Sequence, residues 1–227
     1  MKTLLLILFP LSVIMPVITQ KAGLSKKRPL EMKMLCVALF LSVGFLSFFM
    51  RGDVHPYSIG ILAALISGAT GDFLLAYKKG KNFIIGALFF SVGHLIYSFT
   101  FLTLGTASVK AYIVPVAVIS AVLTIMLLIF TKLKIKLQNN RLPFIAYGII
   151  LIVFFTCALV RGVAAIWDKN IFFGFCLILG GALFSFSDML IGAKLGGMRR
   201  PKILHYAVSY TYFSAQTLLA LSILLQH

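Results

Sequence analysis

Of 227 residues, 61% are hydrophobic and only 11% are charged. A soluble domain carries about 25% charged residues, so this composition excludes an ordinary water-soluble fold and points to lipid as the solvent. The net charge of +16, from 21 Lys and Arg against five Asp and Glu, lies in short clusters between apolar runs, which argues for loops at an anionic leaflet and against a nucleic-acid groove.

A membrane-crossing helix needs about 20 apolar residues. Eight runs meet that length, at roughly 3–20, 30–50, 56–77, 83–103, 111–131, 143–161, 171–192 and 203–225. The runs are continuously apolar rather than alternating, so the expected fold is an all-α, polytopic bundle of eight transmembrane helices. The first run follows Met1-Lys2 and has the look of a signal peptide, but no clear small-x-small cleavage site follows it, and it is expected to be retained. Short connections make residues 1–227 one transmembrane domain.

Charge sets the expected orientation. The connections after the first, third, fifth and seventh runs hold Lys21, Lys26, Lys27 and Arg28, then Lys78, Lys79 and Lys81, then Lys132, Lys134, Lys136 and Arg141, then Lys194, Arg199, Arg200 and Lys202. Lys33, early in the second run, joins the first group, whereas the opposite side has Lys2, Arg51, Lys110, Arg161 and Lys169. The positive-inside rule then places the cation-rich loops in the cytoplasm and both termini outside, in a cell or inner membrane, or in the endoplasmic reticulum of a eukaryote. Tyr57 and Trp167 read as interface anchors. Cys36, Cys157 and Cys176 all fall in apolar runs, so neither a disulfide framework nor a metal cluster is expected.

The third and fourth runs resemble the seventh and eighth at an offset of 116 residues. Asp72 matches Asp188, Lys78 matches Lys194, His94 matches Tyr210 and Tyr97 matches Phe213. Such a duplication implies two parallel four-helix halves, roughly 1–105 and 106–227.

Most acidic residues need no special role: Glu31, Asp53 and Asp168 lie beside loops. Asp72 and Asp188 stand inside apolar runs. A charged side chain at a helix centre costs about 2.5–3.5 kcal/mol, and such residues are functional candidates by default. The plainer alternative is a helix-end aspartate paired with Lys78 or Lys194, six residues further along in each case. Small residues precede both: Ser67, Gly68, Ala69 and Gly71 in one run, Gly180, Gly181, Ala182, Ser185 and Ser187 in the other. They allow close helix approach, which would bring the carboxyls together and leave one protonated. His94 and Tyr97 share one helix face, and Tyr212 and Gln216 share another. No Walker loop, serine elbow or zinc-ligand run is present.

Three blocks carry a family resemblance: Ser67-Gly68-Ala69-Thr70-Gly71-Asp72 with Phe83, Gly86, Phe89, His94 and Tyr97; Gly181-Ala182-Leu183-Phe184-Ser185-Phe186-Ser187-Asp188; and Tyr212-Phe213-Ser214-Ala215-Gln216 with Leu219-Ala220-Leu221-Ser222. In this order they resemble the YhhN family of membrane proteins, which includes the lysoplasmalogenases. The resemblance implies hydrolysis of the vinyl ether bond of a lysophospholipid in the bilayer, giving a fatty aldehyde and glycerophosphoethanolamine or glycerophosphocholine. It also implies Asp72 and Asp188 as catalytic residues, with no cofactor and no metal. His94, Tyr97, Tyr212 and Gln216 would support them, and Lys78 and Lys194 would face the lipid phosphate. Two other classes fit paired intramembrane aspartates: a proton-coupled transporter or channel, and an intramembrane aspartyl protease.

Overall fold

The computed structural model describes residues 1–23, 27–76, 81–103, 141–195 and 202–226, the side chains at 81–84, 141–144, 192–195 and 202–205 excepted. Among the described residues there are seven helices and no strands: α1 (Lys2–Lys21), α2 (Pro29–Arg51), α3 (Pro56–Ala76), α4 (Lys81–Leu102), α5 (Arg141–Trp167), α6 (Ile171–Leu195) and α7 (Lys202–Leu225). All seven are long and apolar enough to cross a membrane. The count is seven rather than the expected eight, and the expected fifth span, roughly 111–131, lies outside the described residues.

Local chemistry sets the helix ends. Pro29 and Pro56 open α2 and α3, where the missing N–H is no loss. Gly52 closes α2 in the left-handed region at φ 81°, and the chain turns at once into α3. Lys169, at φ 62°, makes the equally tight turn from α5 to α6.

α7 is the centre of the bundle and packs against α1, α2, α3 and α6. Its Ala215, Gln216, Thr217, Leu219, Ala220, Ser222 and Ile223 are buried. The outward surface is apolar: Leu6, Phe49, Phe99 and Phe172 are exposed, as expected where lipid rather than water covers the protein. α3 lies antiparallel to α4 and to α7, and α5 antiparallel to α6, whereas α4 and α5 run parallel. The eight-span layout requires that last relation of its fourth and sixth members.

Two glycine contacts decide how closely helices approach. A Cβ on Gly71 would lie 2.6 Å from the Phe90 ring and 3.0 Å from the Gly86 carbonyl oxygen. One on Gly174 would lie 2.5 Å from the Gly162 carbonyl oxygen. Only glycine allows α3 against α4, and α5 against α6, at these distances.

Three expectations change. Tyr57 is not an interface anchor: it is fully buried, and its hydroxyl bonds Ser222 Oγ at 2.5 Å. The sixth run does not stop near residue 161, because α5 continues to Trp167. Arg161 is therefore a helix residue whose guanidinium sits 5.7 Å over the Phe173 ring, a cation–π contact that lets a long side chain stay within an apolar segment. His94 and Tyr210, matched in the repeat, differ in setting: His94 is buried and Tyr210 is exposed.

Candidate active site

Each aspartate is carried on a helix and met by side chains from others. Asp72 lies four residues before the end of α3. Asp188 lies about two turns before the end of α6, deeper than expected because that helix runs on to Leu195. Both are buried, at 2% and 4% exposure, so neither is balanced by bulk water. A buried carboxyl needs hydrogen-bonded or charged partners, and the two have different ones.

Asp72 is held on both oxygens. The Tyr212 hydroxyl donates to Oδ2 at 2.6 Å. Lys33 Nζ, from the first turns of α2, lies 2.8 Å from Oδ1. A polar relay backs the tyrosine: Tyr97 donates to Gln216 Oε1 at 2.8 Å, and Gln216 Nε2 donates to the Tyr212 hydroxyl at 3.1 Å. Tyr97 and Gln216 are buried, so the relay is closed to solvent, and α3, α4 and α7 are tied together around Asp72.

Asp188 accepts a short hydrogen bond at Oδ2 from the hydroxyl of Tyr147, near the start of α5. His94 Nε2 stands 3.4 Å from the same oxygen. That nitrogen makes no hydrogen bond among the described residues. The other ring nitrogen, Nδ1, lies 2.7 Å from the Phe90 carbonyl oxygen. Among the described residues no lysine or arginine reaches ion-pair distance of Asp188.

Aromatic rings join the two carboxyl sites. Phe184 lies tilted against His94 at 4.5 Å and edge-on to Tyr212 at 5.3 Å, ring centre to ring centre. Phe90 lies 5.8 Å from Tyr212, and Phe154 lies 4.8 Å from His94. The carboxyls are near enough to interact electrostatically with each other and with Tyr212. Among the described residues the arrangement brings together one carboxyl beside a lysine, one without a lysine or arginine, and apolar walls.

Of the expected site residues, Asp72, Asp188, His94, Tyr97, Tyr212 and Gln216 fall in this one cluster. Lys78 and the side chain of Lys194 lie outside the described residues. Asp72 has a different cation, Lys33, which sequence reasoning left among the loop charges. Tyr147 was also missed. Its one signal is a lone hydroxyl entering an apolar run, which many membrane helices share.

The profile of the YhhN family matches residues 26–223. Comparisons with curated proteins and with solved structures gave no match. The matched region takes in every member of the cluster, from Lys33 to Gln216, and most of the chain: this protein belongs to the YhhN family.

Proposed function

We propose that the protein is a lysoplasmalogenase-like hydrolase that cleaves the vinyl ether bond of a lysophospholipid within the bilayer. The observation that carries this reading is the pair of buried aspartates in one aromatic-walled cluster, only one of them beside a lysine among the described residues. Vinyl ether hydrolysis needs a protonated acid, because its hard step is proton transfer to carbon, and a neighbouring anion favours the cation that follows. A carboxylic acid protonates the vinyl carbon β to the ether oxygen, and an oxocarbenium ion forms. A neighbouring carboxylate stabilises that cation. It then takes a proton from the water that adds to the carbon bearing oxygen. The hemiacetal collapses as its hydroxyl proton returns to the first carboxylate and the ether oxygen takes the proton from the second. The C–O bond breaks, leaving an aldehyde and the glycerol hydroxyl, with both carboxyls restored.

The remaining parts of the cluster suit that sequence. Tyr212, backed by Gln216 and Tyr97, orients Asp72, and Tyr147 orients Asp188. The hydrocarbon chain of the substrate would lie among the exposed aliphatic and aromatic side chains. The phosphate would meet the cation-rich end of the bundle, with Lys78 and Lys194 as candidate contacts, and that end faces the cytoplasm under the positive-inside rule. The test is direct: purified protein in vesicles is given lysoplasmenylethanolamine, and aldehyde release is followed for the parent and for Asp72→Asn and Asp188→Asn. Full activity in either folded variant removes that residue from the chemistry. Proton-gradient-driven uptake without hydrolysis would instead favour a transporter.

A further inference from the structure

The hydrogen bonds around His94 say more about the aspartates than their burial does. A backbone carbonyl can only accept, so the 2.7 Å contact between His94 Nδ1 and Phe90 O places a hydrogen on Nδ1. In a neutral imidazole, Nε2 is then a lone-pair acceptor. It stands 3.4 Å from Asp188 Oδ2, an atom that already accepts from Tyr147. Two acceptors facing each other inside a buried cluster repel unless a proton lies between them.

We infer that one proton lies between Asp188 Oδ2 and His94 Nε2, which makes Asp188 the acid of the pair, while Asp72, held by Lys33, is the standing anion. Within the hydrolase reading above, on which the catalytic part of this assignment rests, Asp188 gives its proton to the vinyl carbon. Asp72 then stabilises the cation and takes the proton from water. His94 is a positioning residue: its lone pair orients the Asp188 proton and does not touch the substrate carbon. Moving the proton onto His94 instead would create two buried charges walled by Phe154 and Phe184, at the desolvation cost of both. Among the described residues, the groups facing Asp188 are His94 from α4 and Tyr147 from α5. Asp72 from α3 and Tyr212 from α7 lie at longer electrostatic range.

The chain is well suited to a test that does not depend on activity, because it has only five Asp and Glu. Glu31, Asp53 and Asp168 are exposed to solvent, unlike Asp72 and Asp188. Full-length protein labelled with 13C-aspartate is reconstituted in nanodiscs at pH 7, and the infrared band of protonated carboxyl groups is recorded. The band is expected in the parent and in Asp72→Asn, and is expected to vanish in Asp188→Asn. Its absence from the parent, its loss in Asp72→Asn or its survival in Asp188→Asn overturns the assignment. If a variant does not fold, 15N NMR of histidine-labelled parent protein decides the matter. A neutral His94 protonated on Nδ1 supports the shared proton, and a doubly protonated ring overturns it. Aldehyde release from the same samples is scored separately. A parent with the expected band and no hydrolysis keeps the proton assignment and removes the hydrolase.

Discussion

Lys33 Nζ and Asp72 Oδ1 lie 2.8 Å apart, a lysine of α2 reaching an aspartate of α3 inside the bundle. The lysine side chain is 29% exposed and the aspartate 3%, so the pair bridges from the rim of the protein to its buried cluster. Removing one partner of a buried pair costs about 3–5 kcal/mol, because the other is left uncompensated, and the partial exposure of Lys33 should lower that cost. Lys33→Met is expected to lower the thermal midpoint in detergent and to cut aldehyde release. Adding Asp72→Asn should recover part of the stability and none of the activity. Equal unfolding midpoints for Lys33→Met and the parent protein would show that the ion pair contributes nothing.

The two tyrosines that meet the carboxyls give a paired prediction. A hydrogen bond to a charged group contributes about 1.5–3 kcal/mol, or roughly ten- to hundredfold in rate where it acts in the transition state. Tyr212→Phe and Tyr147→Phe should each lower kcat/KM on that scale with the fold retained, since each hydroxyl meets one aspartate. Steady-state aldehyde assays and circular dichroism check the two halves. An unchanged rate in both variants would separate the hydroxyls from the reaction.

Gly71 controls the site from behind. A methyl there would enter the Phe90 ring at 2.6 Å, and the Phe90 carbonyl is what fixes the His94 tautomer. Overpacking of this kind costs about 1–3 kcal/mol. Gly71→Ala should therefore be less stable and less active. Gly148→Ala, where an added Cβ meets nothing within 4 Å among the described residues, should be near neutral in both measurements.

At the opposite end of the bundle, Arg51 closes the end of α7. Its Nη1 donates to the carbonyl oxygens of Ile223 and Gln226 at 3.2 and 2.6 Å and to Gln226 Oε1 at 2.9 Å. Arg51→Ala should loosen the terminal turn of α7, read as faster hydrogen exchange at Ile223–Gln226 with little change in catalysis. Arg51 also bonds Asp53 at 2.6 Å and holds that exposed carboxyl below its ordinary range. A lowered folded pKa adds stability above the unfolded value and loses it as pH falls through the folded value. Acid should thus relax the Arg51–Asp53 contact, and NMR titration of Asp53 follows it directly.

Much of this was legible in the residues, for physical reasons. Apolar runs show where lipid is the solvent, and six of them became helices within three residues of their expected ends, while the sixth run continues to Trp167. Asp72 and Asp188 stood out because a charge in such a run is costly. His94 with Tyr97, and Tyr212 with Gln216, were legible from their spacing on one helix face. Lys33 and Tyr147 were not, because pairing between helices far apart in sequence leaves no periodic trace. Tyr57 and Arg161 misled for a related reason: near the end of an apolar run, a polar-tipped side chain reads as facing the interface. Only the neighbouring helices, through Ser222 and Phe173, show that each turns inward.

The central claim is that two buried aspartates in unlike settings carry out one hydrolysis. Its most direct measurement is aldehyde release from lysoplasmenylethanolamine by reconstituted protein, compared among the parent, Asp72→Asn and Asp188→Asn. The account predicts release by the parent and loss of at least a hundredfold in each folded variant. No release by a folded parent, or parental rates in either variant, would contradict it.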